Sequence, residues 1–200
     1  MKKLIKKTAI IVLIIMTVVA LILIFKGVYI LYDTEKMIDD GLKDTQRILQ
    51  DTNKKQDTDT QNEQEQTVGE AIMSVFSPKE HQYALYDGLT NYHLQLGVAR
   101  ASESADIGKT GNCVIYGHRD SSFRCLKNIK IGNKVIIRTK HYEYIYLVQK
   151  TLVCSPQSAF INKDYDSPYL TLVTCYPFVY SGPAQERYLV ICKLDSCSKV

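Results

Sequence analysis

The chain has no tryptophan, only five prolines and ten glycines in 200 residues, and no two cysteines in a C-x-x-C spacing. Without a close cysteine pair there is no signature of a zinc ribbon or a dithiol redox motif. There is no glycine-rich phosphate loop, no internal repeat, and no pair of carboxylates flanked by aromatics as a glycosidase would carry. At this length a large multidomain enzyme is excluded. The formal net charge of +4 hides three regions: +5 over residues 1–31, −6 over 32–75 and +5 over 76–200. No stretch packs Lys and Arg with interleaved aromatics, so nothing reads as a nucleic-acid surface.

What the sequence does have begins at Thr8. From there to Phe25 run eighteen uncharged residues dominated by Ile, Leu and Val, which as a helix extend about 27 Å, enough to cross a bilayer. The run is longer than the apolar core of a cleavable signal peptide, and no small-x-small cleavage site follows it, so it reads as an uncleaved signal anchor. Lys2, Lys3, Lys6 and Lys7 precede it and only Lys26 lies just beyond it. That bias holds the N-terminus in the cytoplasm and puts the rest of the chain outside. The expected organisation is a cytoplasmic tail at 1–7, a transmembrane anchor at 8–31, a helical stalk and polar linker at 32–68 and an extracytoplasmic domain at 69–200. Within the stalk, Leu31, Met37, Ile38, Leu42, Ile48 and Leu49 fall roughly on one stripe. From Asp51 to Thr67 there is no apolar residue, so this stretch cannot offset its ordering entropy and serves as a spacer.

The remainder reads as strands: Val114–Tyr116, Lys134–Arg138, Tyr142–Lys150, Leu170–Thr174 and Tyr188–Leu194 are rich in Val, Ile, Tyr and Thr and separated by turn residues. The fold class is all-β, a sandwich or barrel. Ile131-Gly132-Asn133 makes a tight turn, and Lys140-His141 separates two runs that can pair as a hairpin.

Six cysteines in an extracytoplasmic domain ordinarily suggest disulfides, but these are scattered. If one is a working thiol, the other five cannot all pair. Cys192, in the middle of Tyr-Leu-Val-Ile-Cys-Lys-Leu, reads as a small buried hydrophobe. Cys175 differs: it ends the strand Tyr169-Leu-Thr-Leu-Val-Thr-Cys and is followed by Tyr176-Pro177-Phe178, where the proline stops the strand. His118 lies where another strand runs into a polar turn, Cys113-Val-Ile-Tyr-Gly-His118-Arg119-Asp120. A thiol needs a base to ionise near neutral pH, and histidine is the usual one. Arg187, opening the last strand, offers a permanent charge and a fork of donors for an oxyanion or a substrate backbone. Alone, each residue type is more often structural than catalytic.

At these residues the sequence resembles the sortase family. Thr171-Leu172-Val173-Thr174-Cys175 fits the family's Thr-Leu-x-Thr-Cys signature, and Gly117-His118-Arg119-Asp120 with Phe123 fits the segment carrying its histidine. The run from Cys175 through Tyr-Pro-Phe to Arg187-Tyr looks most like class D, and the resemblance covers roughly residues 69–194. Arg100 stands where many class D members have a histidine. The resemblance implies a closed eight-stranded β-barrel with short helices in which His118, Cys175 and Arg187 converge as catalytic residues. It also implies a membrane-bound transpeptidase that cleaves Leu-Pro-x-Thr-Gly-like sorting signals after Thr, through a Cys175 thioester.

The partners so implied are surface proteins bearing a C-terminal sorting signal and, as acceptor, an amine of a peptidoglycan precursor; no cofactor and no metal is expected. Thr174 is a candidate substrate contact through its amide or hydroxyl. Ala159, Phe160 and Ile161, in the loop between Cys154 and Tyr169, either contact the Leu-Pro portion or simply cap the barrel. Asp164 and Asp166 read as solvated loop charges, being fewer than the oxygens calcium takes. Papain-like peptidases place Cys before His, the reverse of the order here. A chymotrypsin-like cysteine protease needs a longer double barrel. The alternatives are an extracytoplasmic cysteine peptidase, or a non-catalytic β-domain that only binds a partner.

Overall fold

The structure, a computed structural model, describes residues 2–51, 71–179 and 182–200. The expected spacer beyond Asp51 lies outside the described residues. The chain divides into two units, Met1–Lys36 and Met37–Val200.

One continuous helix, α1 (Lys2–Asp51), begins the chain. In the first unit its large apolar side chains point outward all round, Leu13 at 63% and Phe25 at 73% exposure. A helix apolar on every side is suited to lipid rather than to water. It is the one helix among the described residues long and apolar enough to cross a membrane, which supports single-pass anchoring.

The second unit holds the end of α1 and a barrel. Strands β1 (Ala71–Phe76), β2 (Glu80–Asp87), β3 (Val98–Arg100), β4 (Gly111–Tyr116), β5 (Lys134–Arg138), β6 (Tyr142–Cys154), β7 (Pro168–Tyr176) and β8 (Glu186–Lys199) close in the order β1-β2-β3-β4-β7-β8-β6-β5. A short helix α2 (Asn91–Leu96), capped by the Thr90 hydroxyl, links β2 to β3. The eight-stranded barrel implied by the resemblance is therefore the observed fold. Five strands are those expected from composition; β1, β2 and β3 are additional. The Gly132 turn has φ +85, within the left-handed region that glycine enters freely. The hairpin at Lys140-His141 joins β5 to β6, and Thr139 N donates to Tyr142 O at 2.8 Å.

Inside the second unit α1 turns small residues to the barrel. Gly41 and Thr45 are buried and Met37, Ile38, Leu42 and Leu49 of the expected stripe are half-buried, while Ile48 is 46% exposed. A Cβ on Gly41 would sit 2.8 Å from Tyr86 Oη and 3.1 Å from Leu96 O. A larger residue there would hold the helix off the barrel.

Strand alternation separates two apolar clusters. The barrel interior contains Met73, Leu85, Cys113, Ile115, Ile137, Tyr146, Leu170, Leu172, Val190 and Cys192. A smaller cluster of Ala101, Val114, Ile161, Val173 and Leu189 lies on the outer face of β4, β7 and β8, because alternate residues of a strand point to opposite faces.

With no tryptophan, unfolding is followed by tyrosine fluorescence. Ile137→Ala, which empties a fully buried site, is expected to cost about 2–5 kcal/mol in urea denaturation of the detergent-solubilised chain. Ile136→Ala, on the other face of β5, should cost distinctly less.

Candidate active site

The outer face of β4, β7, β8 and β6 is laid out by register. Tyr116 pairs with Val173 across the parallel β4–β7 ladder, Val173 with Leu189 across β7–β8, and Leu189 with Leu152 across β8–β6. One row further toward the strand ends, Cys175 pairs with Arg187 and Arg187 with Cys154. Residues two apart share a face, so Cys175, Arg187 and Cys154 lie on the same outer face as Val173, Leu189 and Leu152, in the next row.

His118 lies two residues beyond Tyr116, just past the end of β4. The ladder continues past the end of β4: Gly117 N donates to Val173 O at 3.2 Å, and Thr174 Oγ1 donates to Gly117 O at 2.8 Å. His118 is thereby level with Cys175, one strand away. Cys175 and Arg187 are paired partners on β7 and β8, and His118 belongs to the segment that follows β4, the strand on the other side of β7. The three expected residues thus come from neighbouring segments at one end of β4, β7 and β8.

The turn after His118 is fixed from beneath. Phe123 N donates to His118 O at 2.8 Å, the Phe123 ring is fully buried, and the Ser122 hydroxyl donates to Gly97 O at 2.8 Å. A Cβ on Gly117 would meet that ring at 2.7 Å, so only glycine lets it pack directly under the imidazole-bearing segment. Arg119 reaches in the other direction, donating to Pro177 O at 3.3 Å and Gly182 O at 2.9 Å. It ties the chain after Cys175 to the chain after His118.

Cys175 is half-buried, His118 exposed and Arg187 half-buried. The Arg187 guanidinium donates to Ala184 O at 3.2 Å and Glu186 O at 3.0 Å, which holds it over the start of its own strand. Burial raises the Tyr116 hydroxyl above its ordinary pKa, Glu103 adds to the rise, and the Arg187 charge opposes it.

The remaining expected residues divide. Thr174 is 2% exposed and faces the barrel interior, its hydroxyl committed to Gly117 O; it braces the histidine segment from behind. Of the three loop residues, Ile161 is buried in the outer cluster. Phe160 is 47% exposed, with Lys150 Nζ 5.7 Å from its ring centre, and Ala159 is exposed. Sequence reasoning gave no role to Arg100, Asn112 or Arg119, all of which organise the surroundings. Arg100, nearly buried, pairs with Asp87 at 2.6 Å and Asp106 at 3.2 Å, and its guanidinium also donates to Ser104 O. It joins β2 and β3 to the loop before β4. Its signal was its departure from the class D pattern; the other two bond backbone carbonyls, which sequence does not reveal.

All six cysteines are free thiols. Burial pushes Cys113 up to about 12 and also raises Cys125 and Cys192. A raised thiol pKa leaves less thiolate at any pH below it, and the thiolate is what alkylates. Treatment of the native chain with iodoacetamide at pH 8 is therefore expected to modify only Cys154, Cys175 and Cys197, with all six modified in urea. Mass spectrometry of the digested protein reads the result, and native labelling of Cys192 would contradict this picture.

Comparison with known proteins bears on the family and the fold. The family model described as Sortase domain matches residues 76–195. The chain is 30% identical over 107 residues to Sortase D of Bacillus subtilis (strain 168), covering 53% of this chain and 54% of that protein. It thus spans about half the length of the curated relative it matches. Among solved structures, it is similar to the catalytic domain of B. anthracis SrtD, with 26% identity, a TM-score of 0.53, and coverage of 72% of this chain and 98% of that one. It is also similar in fold to a Clostridium perfringens Sortase D5 transpeptidase, with 20% identity, a TM-score of 0.58, and coverage of 82% and 98%.

Proposed function

Because the chain belongs to the sortase family, its domain model matching residues 76–195, we propose that it is a membrane-anchored cysteine transpeptidase with residues 69–200 as its catalytic domain. Its substrates in this reading are surface proteins ending in a Leu-Pro-x-Thr-Gly-like signal, and its acceptor is an amine of a peptidoglycan precursor. One juxtaposition supports it: Cys175 and Arg187 are paired across β7 and β8, and His118 follows the end of β4, the neighbour of β7 on its other side.

The chemistry follows from that juxtaposition. Cys175, its proton held on His118, attacks the threonine carbonyl carbon, forming a C–S bond and a tetrahedral oxyanion. Arg187 donates hydrogen bonds to the oxyanion as charge develops there. Collapse breaks the C–N bond, and the proton on His118 passes to the departing glycine amine, leaving a thioester. The acceptor amine then attacks the thioester and gives its proton to His118, and Cys175 leaves as thiolate. A peptide bond is made for each one broken.

Turnover of a Leu-Pro-x-Thr-Gly peptide, with circular dichroism of each variant, tests the three roles. Cys175→Ala abolishes cleavage and thioester capture, and His118→Ala is nearly as severe. Arg187→Ala loses about 10²–10³ in rate, the cost of one oxyanion donor. Arg187→Lys also loses most activity, since an ammonium lacks the planar fork. A folded His118→Ala or Arg187→Lys variant close to wild type would refute the triad.

The anchor is residues 8–31, with the N-terminus cytoplasmic and the domain outside. Protease added to wall-stripped intact cells should digest the domain; full protection would reverse the orientation.

A further inference from the structure

The positive charge of the barrel domain is concentrated in one segment. Residues 121–142 carry six bases and no acid, while the rest of 76–200 carries nine bases against ten acids. A run of like charge is ordinarily a solvated face, but here the cations stand on a fixed frame. The 3-10 helix Arg124–Asn128 buries Cys125 and Leu126, and Ile129 just beyond it is also buried. The turn from Lys130 to Asn133 closes on itself: Asn133 N donates to Lys130 O at 3.0 Å, and Lys130 N to Asn133 Oδ1 at 2.8 Å. Gly132 N to Val148 O at 2.8 Å and Val148 N to Asn133 O at 3.0 Å pin it to β6. The Ser77 hydroxyl donates to Cys125 O at 2.8 Å, and Val75 pairs with Val135, which brings the β1–β2 turn and Lys79 to the same end of the barrel.

Lys79, Arg124, Lys127, Lys130 and Lys134 are all exposed, and among the described residues none of the five has an ion-pair partner. The acids at the margins are engaged elsewhere: Glu143 pairs with Arg138, and Glu80 accepts from Gln82 Nε2 at 2.8 Å. Arg124 and Lys127, three apart in a 3-10 helix, lie on one edge about 6 Å apart, comparable with the step between phosphates of an extended phosphodiester chain. The one aromatic ring in 121–141, Phe123, is fully buried, so the surface offers charge without a stacking platform. Ile131, 72% exposed, is the one large apolar side chain exposed in that stretch, which is little area for seating in a bilayer. We propose that these five cations form a docking surface for a linear phosphodiester polyanion of the cell wall, and that it retains the domain there through residues that take no part in the transfer. The proposal rests on the reading of the domain as an extracytoplasmic sortase. No covalent step is involved; the driving force is release of counterions from the polymer.

The test is binding of end-labelled, soluble poly(glycerol phosphate) to the full detergent-solubilised chain, read by fluorescence anisotropy over a salt series. A single-stranded polyanion loses about 0.7 of a decade in affinity per neutralised phosphate for each decade of salt, so five contacts give a slope of about −3.5. Replacing Lys127, Lys130 and Lys134 together by Gln should reduce the slope to about −1.4 and lower affinity about 10²-fold at 0.1 M salt, relative to the two proteins' behaviour at 1 M. The same loss of charge elsewhere, Lys109→Gln with Lys193→Gln and Lys199→Gln, should leave the slope unchanged, because distant exposed charges are screened. Both triple variants are expected to keep wild-type urea unfolding and, without polymer, wild-type turnover of a Leu-Pro-x-Thr-Gly peptide. Acetylation read by mass spectrometry locates the contact: polymer should protect Lys127, Lys130 and Lys134 and leave Lys109 and Lys199 reactive. In the chain reconstituted without polymer, vesicles of phosphatidylcholine with phosphatidylglycerol should protect these lysines no more than phosphatidylcholine alone. Protection by the anionic vesicles would give the surface to the bilayer and overturn the proposal. Equal weakening in the two triple variants, or binding that salt does not weaken, would overturn it as well. If wild type binds the polymer with this slope but turns over no sorting peptide, the sorting-signal reading fails and the docking surface stands.

Discussion

Two hydrogen bonds at the exit of β4 hold the rest of the site in place. Gly117 N to Val173 O and Thr174 Oγ1 to Gly117 O carry the parallel ladder one residue past the strand. A histidine that would otherwise start a free turn is thereby held level with a cysteine 57 positions later in the sequence. Both bonds require glycine at 117, because the Phe123 ring fills the space a side chain would need. The floor under the imidazole is thus made by what is missing from its neighbour. The Arg119 bonds to Pro177 O and Gly182 O then fasten the far side of the same junction, so the segments following His118 and Cys175 are tied together.

β7 serves two structures at once. Leu170, Leu172 and Thr174 face the barrel interior, while Thr171, Val173 and Cys175 face the outer groove. The alternation lets an unbroken run of buried residues, Leu170 to Thr174, satisfy both sides. Burial on both faces is what a strand flanked by neighbours and covered by a loop demands. It also explains why a motif that looks catalytic is mostly structural. Of its five residues only Cys175 is at the reacting row, Thr174 braces His118 from within, and Thr171 holds the loop through Asn112.

The site was legible in the sequence because its residues lie at strand ends and carry chemistry: a thiol before a proline, an imidazole after a glycine, an arginine opening a strand. Much of the barrel was less so. β1 is buried at five of its six positions and shows no alternation, and β3 has three residues, too short for any period. β8 runs to Lys199, five residues past the expected end, since Asp195 to Lys199 is polar; backbone pairing with Tyr142–Ile145, rather than apolar burial, extends it. The loop contacts were legible only in part. Among Ala159, Phe160 and Ile161 the choice of inward residue is made by Asn112, whose partner is a main-chain carbonyl 49 positions away. The close approach of α1 to the barrel was not legible either: it is made by Gly41 and Thr45, and an apolar stripe does not register small residues.

The row that holds Cys175 also separates two ways of activating a thiol. Arg187 has Cys175 on one side and Cys154 on the other, both in register with it and both half-buried. Register with the arginine alone therefore does not distinguish the two sulfurs. The difference is on the next strand. Cys175 has β7 between β4 and β8, with His118 level with it, whereas Cys154 ends β6 and packs with Tyr116 and Leu152 against the apolar cluster. A nucleophile needs a group that takes its proton and later returns it to a leaving amine, which a guanidinium cannot do. In the proposed reading the strand order β4-β7-β8-β6 makes the choice that the arginine does not: it sets the histidine segment beside one thiol and leaves the other against the apolar cluster.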